Sequence, residues 1–446
     1  MRTGWPAGWS READARGKEA GDLLADADVV IVGAGVTGLS TAMNLKRLDA
    51  SLRVCVVEGN AGIAMGNTSK SASGFRTSFT SDVNRLLAKA TADYLLKISS
   101  AGAAIGLRQV GYLYLLPEEK VEHFFEVSRR LEGKGHSISR LDADELPRRV
   151  PELVPRPSSE DAALMGLKAI GGALHDSEAG ILDPVKLCEH YYAECIKSDV
   201  EFLFSTPVTG FIAEADRPLG IPDEPFSWQN AQVRGVQTGK GSIRGKVVVA
   251  AGTWAPALVN QLGVDARARP KTRQIFVMRD EGIGRLYRNS GFSREGILPF
   301  TFLPGGIYLR PEANEEAFDI GLSDEFRRPY GFEEDPKPEE RFFEMDIRPP
   351  LSEYFPLFGG TRPSGSWAGQ YIINSFDGNP IIFEDYGMIV VTGMSGSGIL
   401  KSYATGRVAA SLCKGLDRAD LGNGTSIRTE ALGYRNRKTE TEEMVF

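Results

Sequence analysis

The sequence predicts an α/β chain, α+β overall, in which a Rossmann-like dinucleotide-binding domain carries a second domain built on a mostly antiparallel sheet. Three observations point there. Val29 to Gly38 read Val-Val-Ile-Val-Gly-Ala-Gly-Val-Thr-Gly, an apolar strand running into a glycine turn and a helix start. A second apolar run, Arg53 to Val57, ends in an acid, Glu58, twenty residues past the last of those glycines. Between about residues 265 and 355, alternating segments recur, among them Gln274-Ile-Phe-Val-Met278 and Gly306-Ile-Tyr-Leu-Arg310, the pattern of half-buried strands.

The glycine turn has a specific physical reading. Gly33 permits the turn, Gly35 leaves room for a pyrophosphate against the backbone, and Gly38 lets the helix lie close to the sheet. Val36 and Thr37 open that helix, whose unpaired N–H groups and positive dipole end suit phosphates. Glu58 is placed to accept hydrogen bonds from a ribose. A glycine-rich turn in some other α/β domain is the rival explanation. A strand before, a helix after and an acid at this spacing favour the dinucleotide.

Three later segments select FAD over NAD. Asn67 to Arg76 is a small-residue loop holding Thr68, Ser69, Ser71, Ser73 and Gly74. Val247 to Trp254 is a strand ending in Ala251, Gly252 and Trp254. Gly387 to Gly398 is again a strand and a glycine turn, with Gly393, Ser395, Gly396, Ser397 and Gly398, followed by Ile399 and a helical stretch to about Leu412. A chain that returns to one glycine-lined site from both ends wraps a long cofactor.

The 446 residues, 42% hydrophobic and 25% charged, suit a two-domain globular enzyme. A net charge of −7 gives no basic patch for nucleic acid. No run has the length and apolarity of a membrane span. Residues 1–26 are polar and small apart from Trp5 and Trp9, lack the core of a signal peptide, and read as an extension, with a peripheral membrane anchor through the two tryptophans as the alternative. Cys55, Cys188, Cys195 and Cys413 show no metal spacing and read as core thiols of a cytoplasmic protein. His123, His136, His175 and His190 sit beside no second ligand or nucleophile, so metal catalysis and triad hydrolysis are not expected.

The cofactor domain is expected to be discontinuous, over 27–110, 172–264 and 356–420, with the substrate domain over 111–171 and 265–355 and a tail over 421–446. Helical spacing marks Val83 to Ile98 and Glu118 to Lys134, and Pro184 suits a first helical turn. Val110 to Leu116 and Val200 to Phe204 read as strands, and Pro329 to Arg341 as an exposed loop.

The first strand with Glu58, the loop ending in Arg76, Ala250-Ala-Gly-Thr-Trp254 and Gly393-Met-Ser-Gly-Ser-Gly398 together resemble the D-amino acid oxidase superfamily of FAD-dependent oxidoreductases. Within it the chain is most similar to the branch of sarcosine oxidase, glycine oxidase and dye-linked L-proline dehydrogenase. The resemblance implies a backbone contact of Val208 with the adenine side, although Val208 reads equally well as a core strand residue. It implies a substrate-facing Arg310, an Arg76 near the flavin, and an active-site Tyr371. For each, a structural role is the competing reading: a surface Arg310 paired with Glu312, Arg76 tying loop to sheet, Tyr371 packed in a core. The family's flavin-attaching cysteine and histidine positions are vacant here, so FAD is expected to be non-covalent. Its lysine past the late turn is Leu400 here. Lys401 lies one residue on, about 100° around a helix.

Flavin amine oxidation needs a held substrate carbon, a fixed carboxylate and a neutral amine, and no obligatory base. The expectation is therefore an enzyme oxidising a small secondary or cyclic amino acid to its imine, L-proline first. A sarcosine or glycine oxidase and a non-catalytic flavoprotein of assembly are the alternatives. Oxygen, a quinone, a dye or a partner subunit remain open as electron acceptor. A homodimer is the assembly considered.

Overall fold

The computed structural model describes residues 26–289, 291–435 and 437–444. The readings made for the N-terminal extension, with Trp5 and Trp9, fall outside the described residues. Two eight-stranded sheets organise the rest.

The first sheet runs in the order Ile381–Asp385, Met388–Thr392, Gly241–Val249, Asp26–Val32, Val54–Val57, Glu201–Leu203. Its centre is parallel, with Val30 facing Cys55 on one side and Val247 on the other. Strands buried on both faces are continuous Val/Ile runs, as these are. Ala231–Thr238 and Val208–Ala215 extend the sheet by antiparallel pairing. The helices Val36–Leu48, Asp82–Ser100, Pro184–Lys197 and Ser402–Cys413 share one apolar cluster with the sheet. Gly38 makes the first helix's approach possible: a Cβ there would lie 1.9 Å from the Gly33 carbonyl oxygen. The four cysteines are all buried.

The second sheet runs Gly365–Asn374, Ala268–Met278, Phe318–Leu322, Ile307–Pro311, Phe300–Phe302, Tyr112–Pro117, Ile170–Asp176, Ile138–Asp142. Every pairing is antiparallel except Phe300–Phe302 with Tyr112–Pro117. Gly365–Asn374 lies within a stretch grouped by sequence with the cofactor domain. It joins the second sheet because its residues pair one by one with Val277 back to Ala268. The chain crosses to the first sheet only after Asn374.

Register decides what this sheet offers. Tyr112 faces Phe300, Tyr114 faces Phe302, Phe302 faces Tyr308, Tyr308 faces Gly321, and Arg310 faces Asp319. Side chains alternate along a strand, so these residues share one face. Further along the sheet, Ile275 pairs Gly321 and Lys271 pairs Tyr371, which puts Arg273 and Tyr371 on that face too. The other face is aliphatic, with Leu113, Leu115, Leu309 and Ile320 in the second core.

Among the described residues, no helix is long and apolar enough to cross a membrane, and no group of His, Cys, Asp or Glu is arranged to hold a metal ion.

Candidate active site

A cleft of about 630 Å³ opens along the C-terminal ends of the parallel strands, the usual ligand position of an open α/β sheet. Of the residues singled out from sequence, Gly33, Gly35, Val36, Thr37, Glu58, Thr68, Val208, Ala251, Gly252 and Trp254 line it. Gly38 does not, because it packs under Gly33.

The serines of the loop are turned to its own backbone. Ser69 donates to the Gly66 carbonyl, and Ser73 donates to the Ser71 carbonyl while the Ser71 hydroxyl accepts from the Ser73 N–H. Gly74 lies against the Tyr112 hydroxyl. At the late turn, Gly393 packs on Ile381, the Ser395 hydroxyl accepts from the Asn374 N–H at 2.9 Å, and Ser397 donates to the Met394 carbonyl. Gly396 lies under the Tyr371 ring, Gly398 beside Met394, and Ile399 is buried in the first core. The wall beside that turn is made instead by Thr392 and Met394.

Asn67, Pro207, Gln261, Glu334 and Ile372 line the cleft without having been singled out. Asn67 adjoins Thr68 and was within reach of the sequence. Its side chain bonds Thr253 at 3.0 Å and accepts from the Gln370 N–H at 2.7 Å, tying loop to both sheets. Glu334 arrives from a loop whose Phe332 packs edge-on to Trp254, and only the fold brings it there.

The cleft suits a pyrophosphate and a ribose. The helix starting at Val36 has no side-chain cap from Gly35 and no acid in its first turn, and its Val36 N–H donates to the Thr68 hydroxyl at 3.3 Å. Glu58 is held at the cleft wall: Oε2 accepts from the Ala34 N–H at 2.7 Å and Oε1 from the Asn60 N–H at 2.8 Å. Carboxylate oxygens accept more than one bond each, which leaves capacity for ribose hydroxyls.

Beyond the late turn, the aromatic face of the second sheet forms a wall of packed rings. The ring pairs Tyr112–Phe300, Tyr114–Phe302 and Phe300–Tyr308 are 4.7, 5.2 and 5.6 Å apart. Burial pushes the Tyr112, Tyr114, Tyr308 and Tyr371 hydroxyls up, so all stay protonated near neutral pH. The Tyr371 ring rests on Gly396 and beneath the Arg273 guanidinium, 5.7 Å away. Asp176 shares this face. Burial raises its pKa, although the Ser78 hydroxyl donates to it at 2.6 Å.

The arginines behave differently. Arg310 is 5% exposed and paired with Asp319 at 3.2 Å and Glu312 at 3.3 Å, and it donates to the Leu182 carbonyl. The pairing with Glu312 lies in the interior rather than at the surface, because the strand Ile307–Pro311 is buried along its length. Arg76 is half-buried, donates to the carbonyls of Ser78 and Met444, and stacks 4.1 Å over Phe79. Lys401 is fully buried and bonded to Asn84. Burial lowers its pKa to about 7, with the Arg76 charge adding to the effect. Leu400 packs against the first core.

The FAD dependent oxidoreductase family (DAO) matches residues 28–412, both sheets included. The chain belongs to this family. FAD is therefore its cofactor. Among curated relatives, the "FAD-dependent oxidoreductase domain-containing protein 1" of Xenopus laevis is 26% identical over 434 residues, covering 88% of this chain and 80% of that one. Among solved structures, the L-proline dehydrogenase from P. horikoshii superposes with a TM-score of 0.71 at 22% identity, over 90% of this chain and 96% of that one. The glycine oxidase from Geobacillus kaustophilus follows with a TM-score of 0.68 at 20% identity, over 89% and 97%. At these identities the superpositions speak for the fold.

Proposed function

We propose that this FAD dependent oxidoreductase oxidises a small secondary or cyclic amino acid to its imine, with L-proline as the first substrate to test. One observation carries the reading: the aromatic face beside the late glycine turn adjoins an arginine, Arg76, whose described hydrogen bonds go to carbonyls rather than carboxylates. Such a guanidinium keeps its charge available for a substrate carboxylate, which it binds through parallel hydrogen bonds. Arg310 is the weaker candidate, since two carboxylates already engage it.

When bound, FAD supplies the acceptor for the two electrons that leave the carbon next to nitrogen. The chain's own part is positioning. Arg76 holds the carboxylate, and Tyr112, Tyr114, Phe300, Phe302 and Tyr308 wall the apolar body of the substrate. Tyr371, packed on Gly396, joins the aromatic face to the cofactor cleft. The dry walls favour the neutral amine, because burial penalises the charged form. The amino-acid names of the two structural neighbours agree with this reading. The glycine oxidase keeps sarcosine or glycine as the runner-up.

Among the described residues no cysteine or histidine lines the cleft, which supports FAD held without a covalent bond. Acid precipitation should release the flavin into the supernatant, and colour kept by the pellet would refute this. The substrate reading is tested by anaerobic mixing of the purified holoenzyme with L-proline, sarcosine, glycine and other amino acids while flavin absorbance is followed. Bleaching by sarcosine or glycine alone moves the substrate and keeps the reaction. No bleaching by any amino acid favours a flavoprotein that serves assembly.

A further inference from the structure

Residues 437–444 were read only as part of a tail, yet they run back across the molecule to the aromatic face. Arg437 anchors one end. It pairs with Asp377 at 2.8 Å, both side chains being 4% exposed, and donates to the carbonyls of Leu432, Gly433, Asn379 and Pro380. Glu442 anchors the other. Its carboxylate accepts from the N–H and hydroxyl of Thr80 at 2.9 Å each, from those of Ser81 at 3.2 and 3.0 Å, and from the Asn84 amide at 3.3 Å. Burial pushes this carboxyl up, but those bonds and the Arg76 charge outweigh it and hold its pKa below the usual range. Glu443 pairs with Arg130 at 2.7 Å on the helix Val121–Glu132.

Between these anchors and the aromatic face sits Met444. It is fully buried in the cluster that contains Tyr112, Tyr114, Phe300 and Tyr308, and its carbonyl accepts from Arg76 Nη2 at 2.8 Å. The segment thus reaches the one guanidinium assigned above to the substrate. A recess of about 320 Å³, lined by Thr80, Asp82, Arg130, Lys134 and Glu440, lies beside it.

We propose that residues 437–444 form a strap over the Arg76 end of the aromatic face, and that a small carboxylate reaches Arg76 by displacing the Met444 carbonyl. The proposal rests on the reading of Arg76 as carboxylate anchor. A carboxylate is the stronger acceptor, since charge-assisted bonds are roughly twice as strong as neutral ones. Withdrawal of Met444 frees apolar volume next to the aromatic walls, where a substrate ring would lie. Opening needs only the outer part of the segment to move, because Arg437 stays fixed by its buried pair. Such sub-global opening is the ordinary behaviour of a segment held mainly by polar contacts.

The test is labelling of the holoenzyme with phenylglyoxal, which modifies arginines, read peptide by peptide by mass spectrometry. Arg76 should react slowly in the wild type, while Arg156, whose side chain is 71% exposed, reacts fast. Glu442→Ala should speed Arg76 labelling by about tenfold, the order expected when one or more charge-assisted bonds are lost, and leave Arg156 and the FAD content unchanged. Met444→Ala, which shortens the plug without touching Glu442, should act in the same direction and serves if Glu442→Ala folds poorly. Unchanged Arg76 labelling in both variants would overturn the strap. Pyrrole-2-carboxylate is the ligand probe. It should protect Arg76 in the wild type and bind more tightly to Glu442→Ala, since the strap no longer competes. Equal or weaker binding there would overturn the displacement. Faster labelling with no protection by the probe in either protein would remove the carboxylate role of Arg76 and leave the strap supported.

Discussion

The cofactor cleft and the aromatic face are neighbours built from different material. The cleft is made largely of backbone and small residues: Gly33, Gly35, Ala251 and Gly252 line it, and the N-terminus of the helix Val36–Leu48 faces it. The aromatic face is made of large side chains brought from strands far apart in sequence, Tyr112, Phe300, Tyr308 and Tyr371, with arginines between them. In the cleft, charge is left open for a ligand. On the aromatic face, Arg310 is matched by Asp319 and Glu312, while Arg76 donates to the carbonyls of Ser78 and Met444. A site of the first kind tolerates no added bulk. A site of the second kind tolerates no loss of a charged partner.

Arg310→Ala puts the second statement at risk. It leaves the nearly buried Asp319 carboxylate without its guanidinium, and breaking a buried pair costs about 3–5 kcal/mol. Urea unfolding should show a loss of that order. If stability is unchanged while kcat/KM for an amino acid falls, Arg310 belongs to substrate binding after all. Gly38→Ala addresses the first statement. A Cβ 1.9 Å from the Gly33 carbonyl must lift the helix, and overpacking of this kind costs on the order of 3 kcal/mol. A stable, flavin-loaded variant would show that the helix approach is not constrained.

Gly35→Val separates fold from ligand within the cleft. The backbone there is extended, φ −76° and ψ 178°, and a Cβ would meet only the Thr68 hydroxyl at 3.2 Å. The apoprotein should fold nearly as the wild type does, yet purify without FAD, as judged by absorbance at flavin wavelengths. Full flavin content would mean that the pyrophosphate lies elsewhere.

The smallest effect concerns Lys401. Its pKa is about 7 in the folded protein against 10.5 ordinarily, so between those values the unfolded chain binds more protons. Stability from this residue therefore rises with pH across that window and is lowest below about pH 7. Relative to Lys401→Met, the wild type should gain roughly 3 kcal/mol between pH 7 and 9.5 in urea unfolding. A pH-independent difference between the two proteins would show that the amine is solvated.

Much of the first sheet was legible because its signals are local. Val29 to Gly38 and Glu58 encode strand, turn, helix and acid within thirty residues, and each step is a backbone requirement that only certain residues meet. Pro184 after Asp183 likewise announces the helix Pro184–Lys197, where the Asp183 carboxylate accepts from the Val185 and Lys186 N–H groups. Alternation announced the strands around Gln274 and Ile307, but not their partners.

What the sequence determined by itself is the glycine turn with its strand, helix and acid, and the presence of a second, mostly antiparallel sheet. Only the tertiary structure decided that Gly365–Asn374 crosses into that sheet, that Arg310 is matched while Arg76 meets carbonyls, and that residues 437–444 return to Arg76. The physical reason is range. A turn that must admit a phosphate constrains residues next to one another, whereas the partner of a buried charge is fixed by register and packing between segments that can be more than 300 residues apart, as Arg76 and Met444 are.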